Sequence, residues 1–578
     1  MRAADALLLP VFALLALVPF SFGDFTAYQL SLFILYGIVG QGIALCWGRV
    51  GILPLGQAMF FGLGAYLGGG ALIWAEGNWA LLLPCLVLAI LLPALLAGLV
   101  ALVVFRRQTG SGPFFSLITL ALSILTYQIA LTASDLTGGF NGLTGIPPLP
   151  GTDPWGNLYW VILGTLLVTT LGTTWVLRAP IGTLWSAVAQ NEARLSFLGY
   201  NVAGLKALAF AGSAALAALA GALYASQQGI VSPQTLGYVL SGELLIWTAV
   251  GGRQTVLGPV VGAILIGFLS SELRDGFALW EVLLAAIFIG VVLLMPQGLG
   301  GLARPLLDKL SRKRETPARD VIIPLSDAPS QPDLSFSDVE VTMGSVHILR
   351  GLSFDMKDPG LHCVIGPNGA GKTSSFNALS GLLPVSKGAI HWNGRDVTGR
   401  LPHQVARLGI ARKLQVPMIF HDLSVADHLN IAIWAQNLTA RDALRPVGFR
   451  RRNEMMDELF TLFPFLCDEQ KTAGELSLGH RQMLEFAMSV MNKPTLVLLD
   501  EPCAGLSKLE TTEMTGAIAR MRERFGISAL IVEHDFSVVE TLSDHIYVLH
   551  QGQLLAEGTL DQIRANADVQ AVYAGGSK

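Results

Sequence analysis

The sequence predicts a multi-domain protein in which a polytopic α-helical membrane domain is followed by an α/β domain of the P-loop type. Three observations lead to this fold class. The chain of 578 residues is 52% hydrophobic and only 14% charged, with a mean hydropathy of +0.54, so it is more apolar than soluble proteins. Its long apolar segments all lie in the first 300 residues. A phosphate-loop pattern lies in the charged second half.

Ten apolar segments have roughly the 20 residues that a helix needs to cross a bilayer. They are residues 5–22, 27–47, 55–76, 79–105, 113–133, 157–177, 202–224, 236–252, 255–272 and 278–296. The first resembles a signal peptide, but no small-residue cleavage site follows it, and we expect a retained helix. The third is rich in glycine, which leaves a continuous span and a broken or re-entrant segment both open.

Basic residues between these segments predict the orientation of the membrane domain. With ten crossings and a cytoplasmic N-terminus, all of the basic loops lie in the cytoplasm, as the positive-inside rule requires. These loops carry Arg49, Arg106, Arg107, Arg178, Arg253 and the cluster at 304–319. The net charge of −4 gives no electrostatic basis for binding nucleic acid. The expected partner of this half is the lipid bilayer.

The domain boundaries follow from the change in composition. We predict a membrane domain at residues 1–303, a cytoplasmic linker at 304–333 and a second domain at 334–578. In the second domain, apolar stretches such as LHCVIG, TLVLLD and ISALIVEH alternate with helix-like segments, which is typical of a buried parallel sheet. Five scattered cysteines without CxxC spacing indicate neither a disulfide framework nor a zinc site.

A phosphate-binding loop is predicted in HCVIGPNGAGKTSSFNALSG (362–381), which contains the pattern G-x-x-x-x-G-K-[ST] after an apolar strand. Backbone N–H groups of the glycines and the start of the next helix suit a polyphosphate. Lys372 would reach the terminal phosphates and Thr373 would bind Mg²⁺. The candidate ATP-binding residues are Gly366, Pro367, Asn368, Gly369, Ala370, Gly371, Lys372, Thr373 and Ser374.

Two acidic residues end a second apolar strand in TLVLLDEP (495–502). Asp500 suits a magnesium contact and Glu501 suits a base that orients and deprotonates water. The alternative interpretation is an acidic cap at a helix N-terminus.

Four further motifs complete a family resemblance. Together with the two segments above, ARKLQVP, LSLGHRQ, AGLS and IVEHD resemble the ATPase domain of ABC transporters over residues 334–578. The resemblance implies ATP hydrolysis with Glu501, Gln415 and His534 as catalytic residues, and Mg²⁺ held by Thr373, Asp500 and Gln415. It also implies that a signature loop binds the ATP of a partner domain; that loop is Ser477, Leu478, Gly479 and His480.

Three positions depart from the family pattern. The usual LSGGQ signature has Leu478 and His480 at its third and fifth positions. Met343 stands where an aromatic residue normally stacks on adenine, and a thioether covers a ring less specifically. Ser507 replaces the usual aspartate after the catalytic carboxylate, which bears on communication between two ATP sites.

The whole chain resembles importers of branched-chain amino acids and of urea or short amides. Three segments resemble the permease component of these importers: LPLGQAMFFGLGAYLGGG, LTGGFNGLTGIPP and VGGRQTVLGPVVGAILIG. The segment GIARKLQVPMIFHDLSVADHLNIA resembles their ATPase. This implies ATP-driven import across the bacterial inner membrane, with a cytoplasmic ATPase and a separate substrate-binding protein. It also implies a second permease and a second ATPase subunit, and favours a heteromeric assembly over a homodimer. Permease and ATPase are joined here in one chain.

The resemblance further implies a coupling helix near residues 184–199, with Gln190, Asn191, Glu192 and Arg194 contacting the ATPase; a plain amphipathic loop is the alternative. Two other functions remain open. An ABC exporter half-transporter would need long cytoplasmic extensions between its spans. A non-hydrolysing membrane ATP sensor would be consistent with the altered signature and with Met343.

Overall fold

The computed structural model describes residues 8–107, 113–276, 280–295, 297–301, 319–325, 331–446 and 449–575. The chain forms two compact units. The first comprises Met1–Ala189, Ala203–Pro317 and Ala443–Pro446, and the second comprises Gln190–Val202, Ala318–Asp442 and Val447–Lys578. A short segment from the predicted membrane half, Gln190–Val202, therefore belongs to the second unit. Most of the basic cluster at 304–319 lies outside the described residues.

The first unit is helical. Its helices, together with the short one that follows Gln190, are α1 (Leu8–Ala44), α2 (Gln57–Ala75), α3 (Trp79–Arg107), α4 (Pro113–Thr132), α5 (Ser134–Thr137), α6 (Leu158–Arg178), α7 (Pro180–Gln190), α8 (Glu192–Phe197), α9 (Val202–Gln228), α10 (Tyr238–Gly251), α11 (Gly258–Gly276) and α12 (Trp280–Leu294). A π-helical turn, Leu45–Val50, extends α1. Two short strands, β1 (Leu143–Thr144) and β2 (Ile230–Val231), pair antiparallel.

Six helices of the described residues are long and apolar enough to cross a membrane, whereas ten spans were predicted. They are Leu8–Val50, Gln57–Ala75, Trp79–Arg106, Pro113–Thr132, Leu158–Arg178 and Val202–Gln228. The first two predicted spans correspond to the two halves of α1, which are separate helices joined across a kink at Gly23, where φ is 82° and ψ is 175°. The last three predicted spans lie in α10, α11 and α12, which fall outside this set of six.

The glycine-rich third segment is the continuous helix α2, not a broken or re-entrant one. Its glycines allow close packing, because a Cβ at Gly64 would overlap the backbone of Ala218 in α9. Polar side chains join the helices: Gln41 Nε2 donates to Thr170 Oγ1 at 2.8 Å, and Gln57 Nε2 donates to Ser213 Oγ at 2.9 Å. Both glutamines therefore contribute to the packing of the helices.

The second unit contains two sheets. Its strands are β3 (Arg319–Ile322), β4 (Leu334–Met343), β5 (Val346–Met356), β6 (Leu361–Ile365), β7 (Lys387–Trp392), β8 (Arg395–Asp396), β9 (Ile410–Lys413), β10 (Phe449–Arg452), β11 (Leu496–Asp500), β12 (Ser528–Val532), β13 (His545–His550) and β14 (Gln553–Gly558). The large sheet has the order β14-β13-β6-β12-β11-β9. Only β14 runs antiparallel in it. The predicted strands LHCVI, LVLLD and SALIV are β6, β11 and β12, and every residue in them is buried.

The helices of this unit are α13 (Lys372–Leu379), α14 (Pro402–Ala406), α15 (Val425–Asn437), α16 (Ala440–Ala443), α17 (Glu454–Leu462), α18 (Leu478–Val490), α19 (Lys508–Phe525), α20 (Phe536–Leu542), α21 (Leu560–Ala565) and α22 (Ala567–Gly575). An antiparallel sheet of order β5-β4-β7-β8 covers part of the core. That core contains Phe336, Phe376, Trp392 and Leu498. The linker strand β3 pairs parallel with β10.

The parallel sheet positions the site. β6, β12 and β11 are adjacent parallel strands, so their carboxyl ends lie at the same edge of the sheet. Ligands bind at this edge in open α/β sheets. The phosphate loop follows β6, the acidic pair follows β11, and His534 follows β12.

Candidate functional site

The phosphate loop connects β6 to α13 through backbone conformations that favour glycine. Gly366 has a φ of 148° and Gly371 a φ of 101°. A Cβ at Gly366 would overlap the backbone oxygen of Leu549, and a Cβ at Gly371 would lie 2.7 Å from Leu349 Cδ2. Side chains are therefore excluded at both ends of the loop. The loop leads directly into the N-terminus of α13, an arrangement that binds phosphate.

Lys372, the first residue of α13, places its ammonium group inside this loop. The Nζ atom donates to the carbonyl oxygens of Gly366 at 2.6 Å and Pro367 at 3.1 Å. Burial lowers the pKa of Lys372, while Glu501 and Asp500 act in the opposite direction. A cation held by two neutral carbonyls is a favourable partner for the terminal phosphates of a nucleotide.

Thr373 and Asp500 form a pair of hard oxygen donors. Thr373 Oγ1 donates to Asp500 Oδ1 at 3.3 Å, and Asp500 is almost fully buried. Burial raises the pKa of Asp500, and the nearby Arg412 opposes that shift. Mg²⁺ is usually bound by one or two protein oxygens together with substrate phosphates and water. The pair fits this mode, and the described residues contain no group of three or more His, Cys, Asp or Glu side chains that converge as a metal site.

The predicted catalytic residues meet although they lie far apart in the sequence. Gln415 Nε2 donates to Glu501 Oε2 at 2.7 Å, and His534 Nε2 lies 2.5 Å from Glu501 Oε1. Glu501 has a φ of 45°, which is unusual for a residue with a side chain. The structure thus holds one carboxylate between an amide and an imidazole, directly after the Asp500 that pairs with Thr373. This arrangement is suited to orienting and deprotonating a water molecule.

The signature residues begin α18. The N-cap is Ser477, whose Oγ accepts from the backbone N–H of His480 at 3.2 Å. The side chain of Leu478 is 51% exposed, and a Cβ at Gly479 would overlap the carboxylate of Glu510. The His480 ring stacks on Phe465, with centroids 4.2 Å apart and planes at 8°. The histidine thus has a packing partner within the unit, while the leucine faces outward.

Two other departures from the family pattern are also located. Met343 ends β4 and is 54% exposed, opposite Val346 at the start of β5. The same hairpin approaches the phosphate loop, because Ile348 O lies near Gly371. Ser507 is the N-cap of α19 and forms a capping box with Glu510. Its hydroxyl therefore stabilises a helix terminus.

The segment Gln190–Val202 contacts the rest of the second unit through two predicted coupling residues, Gln190 and Arg194. The backbone N–H of Asp422 donates to Gln190 Oε1 at 2.8 Å. Asn191 caps α8 by accepting from the N–H of Arg194 at 3.0 Å. Arg194 is fully buried and lies 3.4 Å from Glu485 Oε1. Glu192, in the first turn of α8, is half-buried.

Sequence reasoning missed the buried charges around this segment. Arg412 and Lys413 of β9 are buried, and Lys413 Nζ donates to Gln482 Oε1 at 2.6 Å. Burial lowers the pKa of Arg412 to about 10, and Asp500 opposes that shift. A signal was available, because two adjacent cations interrupt an apolar strand just before Gln415.

Comparisons with known proteins match both halves of the chain. Residues 25–295 match the family "Branched-chain amino acid transport system / permease component", and residues 349–504 match the family "ABC transporter". The high-affinity branched-chain amino acid transport ATP-binding proteins BraF of Pseudomonas aeruginosa and LivG of Escherichia coli are both 34% identical to this chain. Each alignment covers 43% of this chain and 99% of the relative.

A nucleotide-free crystal structure of an ATP-binding cassette from an ABC transporter is also similar. It is 25% identical, with a TM-score of 0.36, over 42% of this chain and 98% of that chain. The sequence comparisons identify an ATP-hydrolysing domain, which is cytoplasmic in this family, and a multi-pass membrane region. The chain therefore belongs to the ABC transporters of the branched-chain amino acid transport family, with the permease component and the ATPase fused in one polypeptide.

Proposed function

We propose that this chain is one half of an importer that uses ATP to move a small polar solute into a bacterial cell. The observation that carries the proposal is the position of Glu501 between Gln415 and His534, directly after the pair formed by Asp500 and Thr373. A protein that only senses ATP has no need of a base held in this way. The permease match over residues 25–295 supports transport by the other half.

The proposed solute is a branched-chain amino acid, with urea or a short amide as the alternative. The names of the permease family and of the matched relatives support the first. The stretches ARKLQVP and VLHQG resemble the urea branch and support the second.

The residues of the site suggest how hydrolysis proceeds. ATP, when bound, supplies the free energy of phosphoryl transfer, and Mg²⁺ bound with it neutralises charge on the phosphates. The phosphate loop would hold the phosphates through its N–H groups, and Lys372 would exchange its two carbonyl partners for phosphate oxygens. Thr373 and Asp500 would hold the metal. Glu501 would accept a proton from the attacking water, with Gln415 and His534 fixing its two oxygens.

The same assignment predicts partners. One chain has one phosphate loop and one signature, and in this family each ATP lies between the loop of one domain and the signature of another. A second ATPase and a second permease are therefore required, and we propose that they belong to different chains. A separate binding protein would deliver the solute from outside, and closure of two ATPases would switch the permease between outward and inward access.

The test is uptake of labelled leucine and labelled urea by cells lacking this gene, complemented with the wild-type chain, Glu501→Gln or Glu513→Gln. Glu513 is an exposed residue of α19 and is the matched control. We expect wild type and Glu513→Gln to restore leucine uptake and Glu501→Gln to fail. Restoration of urea uptake alone would replace the amino acid with the alternative solute. Uptake that Glu501→Gln restores fully would refute a hydrolysis-driven importer.

A further inference from the structure

Arg412 contacts α13, the helix after the phosphate loop, and the carboxylate of Asp500 at the same time. Its guanidinium donates to Ser380 Oγ at 2.5 Å and to Asn377 Oδ1 at 2.7 Å. The same group lies 3.6 Å from Asp500 Oδ2, the oxygen that does not accept from Thr373. One planar fork therefore fixes Asp500 relative to α13.

The other side of Arg412 is held by the segment 190–202. Its backbone carbonyl accepts from Arg194 Nη1 at 3.0 Å, and its guanidinium lies 5.6 Å from the ring centre of Phe197. Arg194 Nη2 also donates to the carbonyl of Glu485 at 2.9 Å. The segment thus touches Arg412 through both a hydrogen bond and an aromatic face.

Buried charge makes this contact sensitive to position. Arg194 and Glu485 are both fully buried. The N–H of Leu414 donates to Glu485 Oε1 at 3.4 Å, so the pair is tied to the chain between Arg412 and Gln415. Separating a buried ion pair is strongly unfavourable, because each charge is left without compensation. Movement of the segment by even a small distance would therefore displace β9 with it.

We propose that Arg412 is a positioning residue through which docking of the segment 190–202 sets the place of Asp500, and so the affinity of the site for its divalent cation. The segment lies in the chain between helices α6 and α9 of the membrane unit. The inference rests on the proposed function, in which movement of the permease and the state of the nucleotide site depend on each other. It adds a path between the two, which runs from the segment 190–202 through Arg412 to Asp500.

The experiment uses the full-length chain in detergent, in a Glu501→Gln background that prevents turnover. Binding of Mn²⁺ in the presence of ATP is followed by electron paramagnetic resonance, and ATP binding is measured separately in EDTA. The variants are Arg412→Gln and Arg412→Lys. The matched control is Arg395→Gln, at an exposed position of β8 in the same unit.

We expect Arg412→Gln to weaken Mn²⁺ binding about tenfold, as removal of an outer support of a metal ligand does, with ATP binding in EDTA unchanged. Arg412→Lys keeps the charge but cannot contact all three partners, so its loss is expected to be smaller. Arg395→Gln is expected to bind Mn²⁺ like the parent. Equal Mn²⁺ affinity in Arg412→Gln and the parent would overturn the proposal, as would an equal loss in Arg395→Gln.

Two further results keep the outcome decisive. If Arg412→Gln fails to bind ATP in EDTA, its fold is damaged and Arg412→Lys decides: parental Mn²⁺ affinity in that variant refutes the proposal. Arg194→Lys keeps the charge but cannot reach the carbonyls of Arg412 and Glu485 together. In the Glu501→Gln background we expect it to weaken Mn²⁺ binding several-fold. These readouts need no transport, so an absence of uptake by the wild type would refute the proposed function without affecting them.

Discussion

His428 provides a pH-dependent test of the structure around α15. Its Nε2 accepts from the backbone N–H of Phe420 at 3.0 Å, and its Nδ1 donates to the carbonyl of Ser424 at 2.7 Å. Both bonds require the neutral ring with its proton on Nδ1, because a second proton would face the N–H of Phe420. Burial, helped by the positive charge of Arg194, lowers the pKa of His428 to about 4, although the hydrogen bond to Ser424 opposes that shift.

The sign and size of the effect follow from linkage. An unfolded histidine has a pKa of about 6.5, so the unfolded chain binds more protons than the folded chain between pH 6.5 and 4. The free energy of unfolding therefore falls as the pH falls through 6.5. With a folded pKa of about 4, the loss between pH 7.5 and 5.5 is about 1.3 kcal/mol, and the limiting loss below pH 4 is about 3 kcal/mol.

Hydrogen exchange of peptides covering α15 measures this loss locally. After correction for the intrinsic rate, we expect exchange in the wild type to be roughly tenfold faster at pH 5.5 than at pH 7.5. In His428→Gln the ratio should fall towards one, although exchange at pH 7.5 becomes faster. The control His347→Gln, at an exposed position, should keep the wild-type ratio. The same ratio in wild type and His428→Gln would show that the buried neutral imidazole is not responsible.

Three further predictions concern the nucleotide site. Glu501→Gln removes the proton acceptor, and we expect phosphate release to fall about 100-fold or more with ATP binding retained; near-normal release would exclude Glu501 as the base. Gly371→Ala places a Cβ 2.7 Å from Leu349 Cδ2, and fluorescent-ATP binding should weaken about tenfold or more, while Gly399→Ala, in open space, should bind normally. Gly479→Ala, which would meet the carboxylate of Glu510, should lower ATP turnover without weakening ATP binding; unchanged turnover would contradict a working signature.

The parts of the site that the sequence predicted have chemistry that is local in the chain. The phosphate loop needs glycines at fixed intervals before a lysine, and Asp500 with Glu501 needs only a buried strand that ends in two acids. The three buried strands were recognisable because a parallel sheet buries both faces and so loses the alternation of polar residues. Placing Gln415 and His534 depended on the family resemblance, since a single glutamine or histidine has no distinctive pattern.

The membrane half was less predictable for a physical reason. Hydropathy placed two spans in α1, and non-helical backbone at Gly23 divides that helix between them. Hydropathy does not register the length of a helix in the folded chain, and α10, with 14 residues, is shorter than the span predicted at 236–252. The sequence left two interpretations of the glycine-rich segment open, because a glycine that admits Ala218 of a neighbouring helix is indistinguishable in sequence from one that interrupts a span.

The buried ion pair between Arg194 and Glu485 could not be predicted, because its two residues come together only in the folded chain. Arg194 and Glu485 are 291 residues apart, and separately each resembles a surface charge on an amphipathic helix. Glu485 lies on the helix that begins at the signature, and burial raises the pKa of its carboxyl while Arg194 opposes that shift. A buried carboxylate without its counter-ion destabilises the fold. The second unit therefore depends for part of its internal charge balance on a segment that the sequence places between two membrane helices.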